Sequence, residues 1–457
     1  MCAIIGLANA AKAAERTMAG LHAMQHRAID YAGIVTTDGQ QFYEHRGKGL
    51  ARQIFLKKVD GGKEIVLDRL HGRYAIGHLR YPTVADRPDR LNIQPIEGLY
   101  NGTKFYLAHN GNLTNRQELT EQLPGLRLAT DMDSELIVRL LERNATGNIV
   151  RDLGKICART LQGSYSLVLL FPDRLIAVRD PSGCRPLSIA RNGNLIAVAS
   201  ETCAFETLGL HHVRDVKPGT IFEVHGNPVQ TNGFCFAEET PARCLFELVY
   251  FSHPTSRVFD VPASTFRQQL GELFEVKRPV LNADLVVGVP DSGTAFAVGW
   301  GRSGRSGRFI PVVVRNHYVG RTFIAANQAL RDAEVAQKFQ FDLDALRGKR
   351  VVLLDDSIVR LTTLPEVVAR IKAAGAVEVH GRIAFPPVRH PCLYGINTPS
   401  YEELAAANCS NEEIRKRAGL DSLEYFKLEW FQELTGDGGS FCTACVTGKY
   451  WHEKKAA

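Results

Sequence analysis

Between residues 1 and 240, runs of alternating apolar and polar positions interleave with helical patterns. Ser164–Leu170 and Leu175–Val178 read as two strands joined by the turn Phe171-Pro172-Asp173-Arg174. Asp133–Leu141 reads as a helix, with acidic residues in its first turn and apolar positions at helical spacing. After about residue 240 the pattern changes to strand–helix–strand alternation. Asp284–Val289 is a buried-strand run ending in the polar loop Pro290-Asp291-Ser292-Gly293, and Val351–Leu354 is another, ending in Asp355-Asp356. Pro365–Ala374 reads as a helix with Pro at its start and Gly375 at its end, and Val377–Phe385 as the next strand. Parallel α/β sheets bind ligands at the carboxyl ends of their strands, where both polar loops fall. From about residue 400 the pattern is helical, ending in a Gly-rich loop that contains cysteines.

A chain of 457 residues exceeds one ordinary core. The change of pattern places one domain at 2–240, a second at 241–400 and a helical tail at 401–457. Composition is that of a globular protein, 45% hydrophobic and 23% charged. The net charge of +6 is spread without a long Lys/Arg run, which argues against nucleic acid and suits a small anionic substrate. No apolar stretch approaches the roughly 18 residues of a spanning helix, so no membrane role is expected. The N-terminus has no basic region followed by an apolar one, so the expected compartment is the cytoplasm. The ten cysteines are then free thiols, metal ligands or catalytic groups rather than a disulfide framework.

Cys2 has only Met1 before it. With Met1 removed, one residue carries both a thiol and an α-amino group that can act as its base. A thiol attacking an amide needs oxyanion donors, and Asn110-Gly111 offers a side-chain amide beside a closely approachable N–H. Arg80 suits a bidentate grip on a carboxylate, and Asp133 can hold an ammonium group. Taken singly, each also reads as a turn, a surface charge or a helix-start acid.

Met1–Gly6, Gln25-His26-Arg27, Gly77–Thr83, His109–Asn115 and Asp131–Glu135 occur in the order seen in class II glutamine amidotransferases, which this half resembles. The resemblance implies an α+β N-terminal-nucleophile domain with an αββα core. It implies that Cys2 attacks the glutamine carboxamide, that Arg80 and Asp133 bind the amino-acid end, and that Asn110 and Gly111 form the oxyanion hole. Ala3, Ala28 and Ile29 depart from the family's usual Gly, Gly and Gln.

In the second half, Leu353–Thr363 resembles the signature of type I phosphoribosyltransferases, an apolar strand, two acids and a small-residue loop. Pro290–Gly293 and Asn316–Ile324 add two matching segments. Together the halves resemble the glutamine phosphoribosylpyrophosphate amidotransferases, and Arg179–Leu187 and Ser200-Glu201 extend the likeness. This implies an α/β phosphoribosyltransferase domain in which magnesium at Asp355 and Asp356 and the groups Asp291, Ser292, Arg360, Thr362 and Thr363 bind phosphoribosyl pyrophosphate (PRPP). Ammonia from Cys2 then displaces pyrophosphate to give 5-phosphoribosylamine, the first step of purine nucleotide synthesis. Segment 316–328 corresponds to the family's mobile loop. The family forms homotetramers or dimers and responds to purine nucleotide inhibitors. Leu361 and Leu364 stand where the family has Gly and Ser, and Thr294 where it has Arg. Leu361 is expected to strain the loop or block the phosphate. The alternative reading is therefore a divergent paralogue with an impaired PRPP site, working as a glutaminase on another acceptor or as a binding protein.

Cys442-Thr443-Ala444-Cys445 alone reads as a zinc site, a redox pair or chance. The resemblance adds Cys244 and Cys392 and implies a 4Fe–4S cluster held by Cys244, Cys392, Cys442 and Cys445, with zinc as the runner-up. Cys157, Cys184, Cys203, Cys235 and Cys409 are assigned to packing or surface.

Overall fold

Strand Ala3–Ala8 carries no polar side chain because both of its faces are covered. Ala3, Ile5 and Leu7 turn toward a layer that includes helix Ala13–Ala23, while Ile4 and Ala8 turn toward a second sheet. The computed structural model describes residues 1–59, 62–81, 92–226, 228–316, 338–398, 400–436 and 441–452. The first sheet has seven strands in the order His212–Asp215, Ser188–Asn192, Leu195–Ala199, Ala3–Ala8, Tyr74–Arg80, Tyr31–Thr37, Phe42–Lys48. The second has six, in the order Gln230–Cys235, Thr220–His225, Arg174–Arg179, Gly163–Leu170, Thr103–Leu113, Ile96–Tyr100. Helices Asp133–Arg143 and Ile149–Arg159 cover its outer face through Leu136, Leu140, Leu153 and Ile156. The layers run helix, sheet, sheet, helix, the αββα arrangement expected for this half.

The second half is built on a five-stranded parallel sheet, ordered Arg308–Phe309, Leu285–Gly288, Arg350–Asp355, Glu378–Ile383, Ser422–Tyr425. Its central strands, Leu285–Gly288 and Arg350–Asp355, carry the apolar runs Leu285–Val287 and Val351–Leu354 because helices cover both faces. Val286, Val352 and Leu354 meet helices Ala263–Lys277 and Ser292–Gly301 through Phe266, Phe274, Phe296 and Trp300. Val287, Val351 and Leu353 meet Thr363–Ala373 and Asn411–Ala418 through Val367, Ile371 and Ile414. The first of these helices starts at Thr363, two residues before the expected Pro365. Proline is tolerated there because first-turn N–H groups have no helical acceptor.

The tail expected to be helical from residue 401 holds the helices Ala405–Asn408, Asn411–Ala418, Phe431–Thr435 and Ala444–Thr447, and between them two strands that the pattern did not show. Ser422–Tyr425 adds the edge strand of the sheet, with the Asp421 carboxylate accepting from Val379 N at 2.7 Å. Phe441–Cys442 then pairs in parallel with Arg243–Cys244. One core holds Cys184 from the first half, Cys244 and Phe385 from the second, and Phe426, Phe431 and Ala444 from the tail. Among the described residues, no helix is long and apolar enough to cross a membrane.

Candidate active sites and the cysteine cavity

Cys2 is half-buried and lies directly before the strand at the heart of the first sheet. Its carbonyl accepts from Arg27 Nε at 2.9 Å. The Arg27 guanidinium is buried between two carboxylates, Glu201 of the first half and Glu247 of the second, with Nη2 2.8 Å from Glu247 Oε1. Burial alone would raise the Glu201 carboxyl, but His26 at 2.9 Å and Arg27 together hold it well below the usual range. Glu247 also takes Arg185 at 3.2 Å. With Met1 in place the α-amine belongs to that residue, which is buried with its sulfur 2.7 Å from Arg185 Nη1. Burial drives that amine down to about 5.

Asn110 and Gly111 lie on strand Thr103–Leu113. Ser200 joins Asn110 to the strand that follows Cys2: its Oγ accepts from Ile4 N at 3.0 Å and from Asn110 Nδ2 at 3.5 Å. Gly111 has φ +156, and a Cβ there would stand 2.0 Å from the Ser164 carbonyl, so no side chain fits. Arg80 ends the strand next to Ala3–Ala8, and its Nη1 is buried without a hydrogen-bond partner among the described residues. His78, two residues earlier, contacts the His109 carbonyl at 3.1 Å, and so ties the Arg80 strand to the Asn110 strand. Burial pushes His78 down to about 3, so it is neutral at physiological pH. Asp133, at the start of its helix, accepts from Leu113 N at 2.8 Å and faces His109 Nδ1 at 3.6 Å. Its burial is outweighed by His109 and these N–H donors, which keep the carboxylate below its ordinary range. Ala28, where the family has Gly, is packed into the helix-side core.

At the second site, Asp355 and Asp356 follow strand Arg350–Asp355 and are both buried. Burial and their mutual repulsion raise Asp355 far above the ordinary carboxylate range, and burial raises Asp356. Ser292 Oγ donates to Asp356 at 2.6 Å, so the Asp291–Gly293 loop and the acid pair converge. Gly293 is required at this contact, since a Cβ would lie 2.4 Å from the Leu354 carbonyl. Asp291 itself is held by Arg315 at 2.7 Å. Arg360, expected on phosphate, instead pairs with Glu403 and donates to the Asn397 carbonyl at 3.2 Å. Thr362 and Thr363 begin the helix Thr363–Ala373. Leu361 adopts φ +54, a left-handed conformation costly for leucine, as the loop strain expected from its sequence requires. Its side chain packs against the core around Leu364 and Ile371, and Leu364 is itself a core residue. Of segment 316–328, only Asn316 lies within the described residues.

Cys244, Cys392, Cys442 and Cys445 line one cavity, although the chain separates them by up to two hundred residues. Arg185 of the first half and Val359 of the acceptor loop line it as well. All four thiols are free, and burial raises those of Cys244, Cys392 and Cys445. Cys184, assigned to packing, lies within hydrogen-bonding reach of Cys442. Among the described residues, no three His, Cys, Asp or Glu side chains group tightly enough to hold one metal ion.

Arg27, Glu201, Ser200, Arg185 and Glu247 were not assigned roles from sequence. The signal available was charge inside otherwise apolar or small-residue strings, such as Glu247 after Cys244-Leu245-Phe246, which marks a buried partner.

A family profile for a glutamine amidotransferase domain matches residues 86–207. The amidophosphoribosyltransferase of Bacillus subtilis is 38% identical over 98% of this chain and 94% of its own length. That of Methanothermobacter thermautotrophicus is 40% identical over the same shares. Among solved structures, glutamine PRPP amidotransferase from B. subtilis, complexed with ADP and GMP, superposes with a TM-score of 0.89 at 36% identity, covering 98% of this chain and 97% of that one. A structure described as the allosteric regulatory enzyme of purine biosynthesis gives 0.90 at 36% identity. A nucleophile site, an acid-pair site and a cysteine cavity thus sit on a fold shared end to end with these relatives: the chain belongs to the amidophosphoribosyltransferase family.

Proposed function

We infer that this chain converts glutamine and PRPP to glutamate, pyrophosphate and 5-phosphoribosylamine, the entry step of purine nucleotide synthesis. The observation that carries this reading is the Arg27–Glu247 ion pair. It joins the carbonyl of Cys2 in one domain to the first helix of the domain that holds Asp355 and Asp356. Removal of Met1 frees the Cys2 amine to take the thiol proton. The thiolate adds to the glutamine carboxamide while Arg80 and Asp133 hold the amino-acid end. Asn110 Nδ2 and Gly111 N–H stabilise the oxyanion. The Cys2 ammonium returns its proton to the leaving nitrogen, the C–N bond breaks and ammonia departs, and water then hydrolyses the thioester to glutamate and the thiol. At the second site, Asp291, Ser292, Arg360, Thr362 and Thr363 hold PRPP, with Arg360 exchanging Glu403 for a phosphate oxygen. Ammonia bonds to the anomeric carbon as the bond to pyrophosphate breaks.

The buried acid pair Asp355 and Asp356 fits a magnesium ion and would hold it, and the ion would supply neutralisation of the departing pyrophosphate's charge. Four thiols lining one cavity supply the all-cysteine ligand set that a 4Fe–4S cluster takes. Cys244, Cys392, Cys442 and Cys445 would hold the cluster, which supplies a structural crosslink. Nucleotide inhibition and a homo-oligomer are extended to this chain from its family.

The test uses full-length protein with its iron, measuring glutamate and pyrophosphate release at saturating substrates. PRPP-dependent release of both in equal amounts is expected; release of neither defeats the assignment. Leu361 favours one second reading, a glutaminase with a weakened PRPP site. Calorimetric titration with magnesium and PRPP separates the two, since micromolar binding removes the second.

A further inference from the structure

The loop that begins at Cys392 runs directly behind the oxyanion strand. Asn112, one residue past Gly111, donates its Nδ2 to the Leu393 carbonyl at 2.9 Å. Ser164, which pairs with Asn112 across the sheet, donates Oγ to the Tyr394 carbonyl at 2.8 Å. Arg185 Nε donates to that same carbonyl at 2.8 Å. Gly395, at φ +107, approaches so closely that a Cβ there would stand 3.2 Å from the Gly111 carbonyl and 3.6 Å from its Cα. The loop is closed on itself by Cys392 N, which reaches Thr398 O at 3.2 Å and Oγ1 at 3.1 Å.

Gly111 has no side chain with which to fix its own orientation. The direction of its N–H follows the plane of the Asn110–Gly111 peptide, and that plane is set by what holds the residues on either side. Asn110 is held by Ser200 on one side. On the other, Asn112 is the residue whose side chain anchors the strand to a separate element. The ladder with strand Gly163–Leu170 sets Gly111 opposite Tyr165 and Asn112 opposite Ser164, and the Asn112 side chain adds a bond out of the sheet that fixes this end of the ladder; when that bond goes, the peptide planes beside Gly111 gain freedom. Positional errors well below 1 Å matter for donors aimed at a developing charge.

We propose that Asn112 is a positioning residue for glutamine hydrolysis: it clamps the oxyanion strand onto the Leu393–Gly395 loop, and so onto the cysteine cavity that Cys392 lines. This rests on the reading of Asn110 and Gly111 as the oxyanion hole. Asn112 contacts no reacting atom, and its effect reaches the substrate through the Gly111 peptide.

The variants are Asn112→Ala, which removes the donor, and Asn112→Asp, which keeps the shape but sets an anionic oxygen against a carbonyl. In full-length, iron-containing protein, glutamine-driven kcat should fall roughly five- to tenfold in Asn112→Ala and further in Asn112→Asp, with glutamine KM moving less than about twofold. Product formation from PRPP and free ammonia, which bypasses Cys2, should stay at the parent rate, as should iron content. Asn112→Gln, which keeps an amide donor on a longer arm, should recover part of the loss. Hydrogen exchange of the 108–114 peptide should quicken in Asn112→Ala. Unchanged glutamine-driven kcat in both variants overturns the proposal, and so does a parallel loss of glutamine- and ammonia-driven rates. If the parent protein hydrolyses no glutamine, the Cys2 reading fails by itself. The clamp is then judged on exchange, and unchanged exchange sinks it.

Discussion

Leucine at φ +54 is the costliest backbone choice in the acceptor loop, at roughly 1–2 kcal/mol relative to glycine. Leu361 recovers part of that by packing against the core beside Leu364, a contact worth about 1 kcal/mol for a half-buried aliphatic side chain. The two nearly cancel, so Leu361→Gly should leave the melting temperature close to the parent. Its effect should appear in PRPP binding, because a glycine loop reaches the phosphate-bound conformation without strain. Calorimetry should show tighter binding by a few fold, in line with about 1 kcal/mol. Weaker binding would mean that the leucine organises the loop rather than opposing it. Glu201 presents the opposite case, a charge made favourable by its partners. Held below its ordinary 4.5 by His26 and Arg27, it adds stability above that pH and loses it as pH falls toward its folded value. Glu201→Gln leaves Arg27 short of a partner. It should destabilise the protein by about 3–5 kcal/mol at pH 7, with a shallower loss on acidification, read by denaturant melts from pH 7 to pH 3.

The strand Thr103–Leu113 gathers most of the first site: Asn110 and Gly111 directly, His109 facing Asp133, and Leu113 bonded to Asp133. Asn110 and Gly111 were legible through the ordered set of family segments they belong to, since Asn-Gly taken singly also reads as a turn. Asn112 gave no such sign, because its partner lies 281 residues away and no periodicity reports it. The same holds for Ser200, whose role depends on which strand lands beside Ala3–Ala8. The family resemblance assigned Arg360 to phosphate, whereas its pairing with Glu403 follows from how the tail folds back and has no sign in the local sequence. Gly111→Ala tests the strand as a unit. Its Cβ would lie 2.0 Å from Ser164 O, so the strand pair must part. Loss of the oxyanion donor predicts a fall of about 10²–10³ in glutamine-driven kcat, while ammonia-driven synthesis continues. A fall of both rates would show that the strand supports more than the first site.

At the scale of the whole molecule, the two domains and the tail meet where the cysteines do. Pattern alone separated the halves at about residue 240, because the strand grammar changes there, but it read the tail as helical and showed neither of its strands. A four-residue edge strand, Ser422–Tyr425, is too short to show a period against neighbouring helices, and the pairing of Cys244 with Cys442 joins residues nearly two hundred positions apart. Topology therefore makes one cavity from Arg185 of the first half, Val359 of the acceptor loop and Cys445 of the tail. A cluster held at that point would restrain all three, and its removal should weaken both sites together. Cys445→Ser removes one thiolate without changing side-chain size much. It should lose iron and visible absorbance, lower stability by the roughly 2–5 kcal/mol that a structural crosslink supplies, and lower glutamine-driven and ammonia-driven rates alike. This parallel loss is what separates it from Gly111→Ala and Asn112→Ala, which spare the ammonia-driven rate. Full iron and unchanged melting in Cys445→Ser would place the metal elsewhere and leave the cavity as packing.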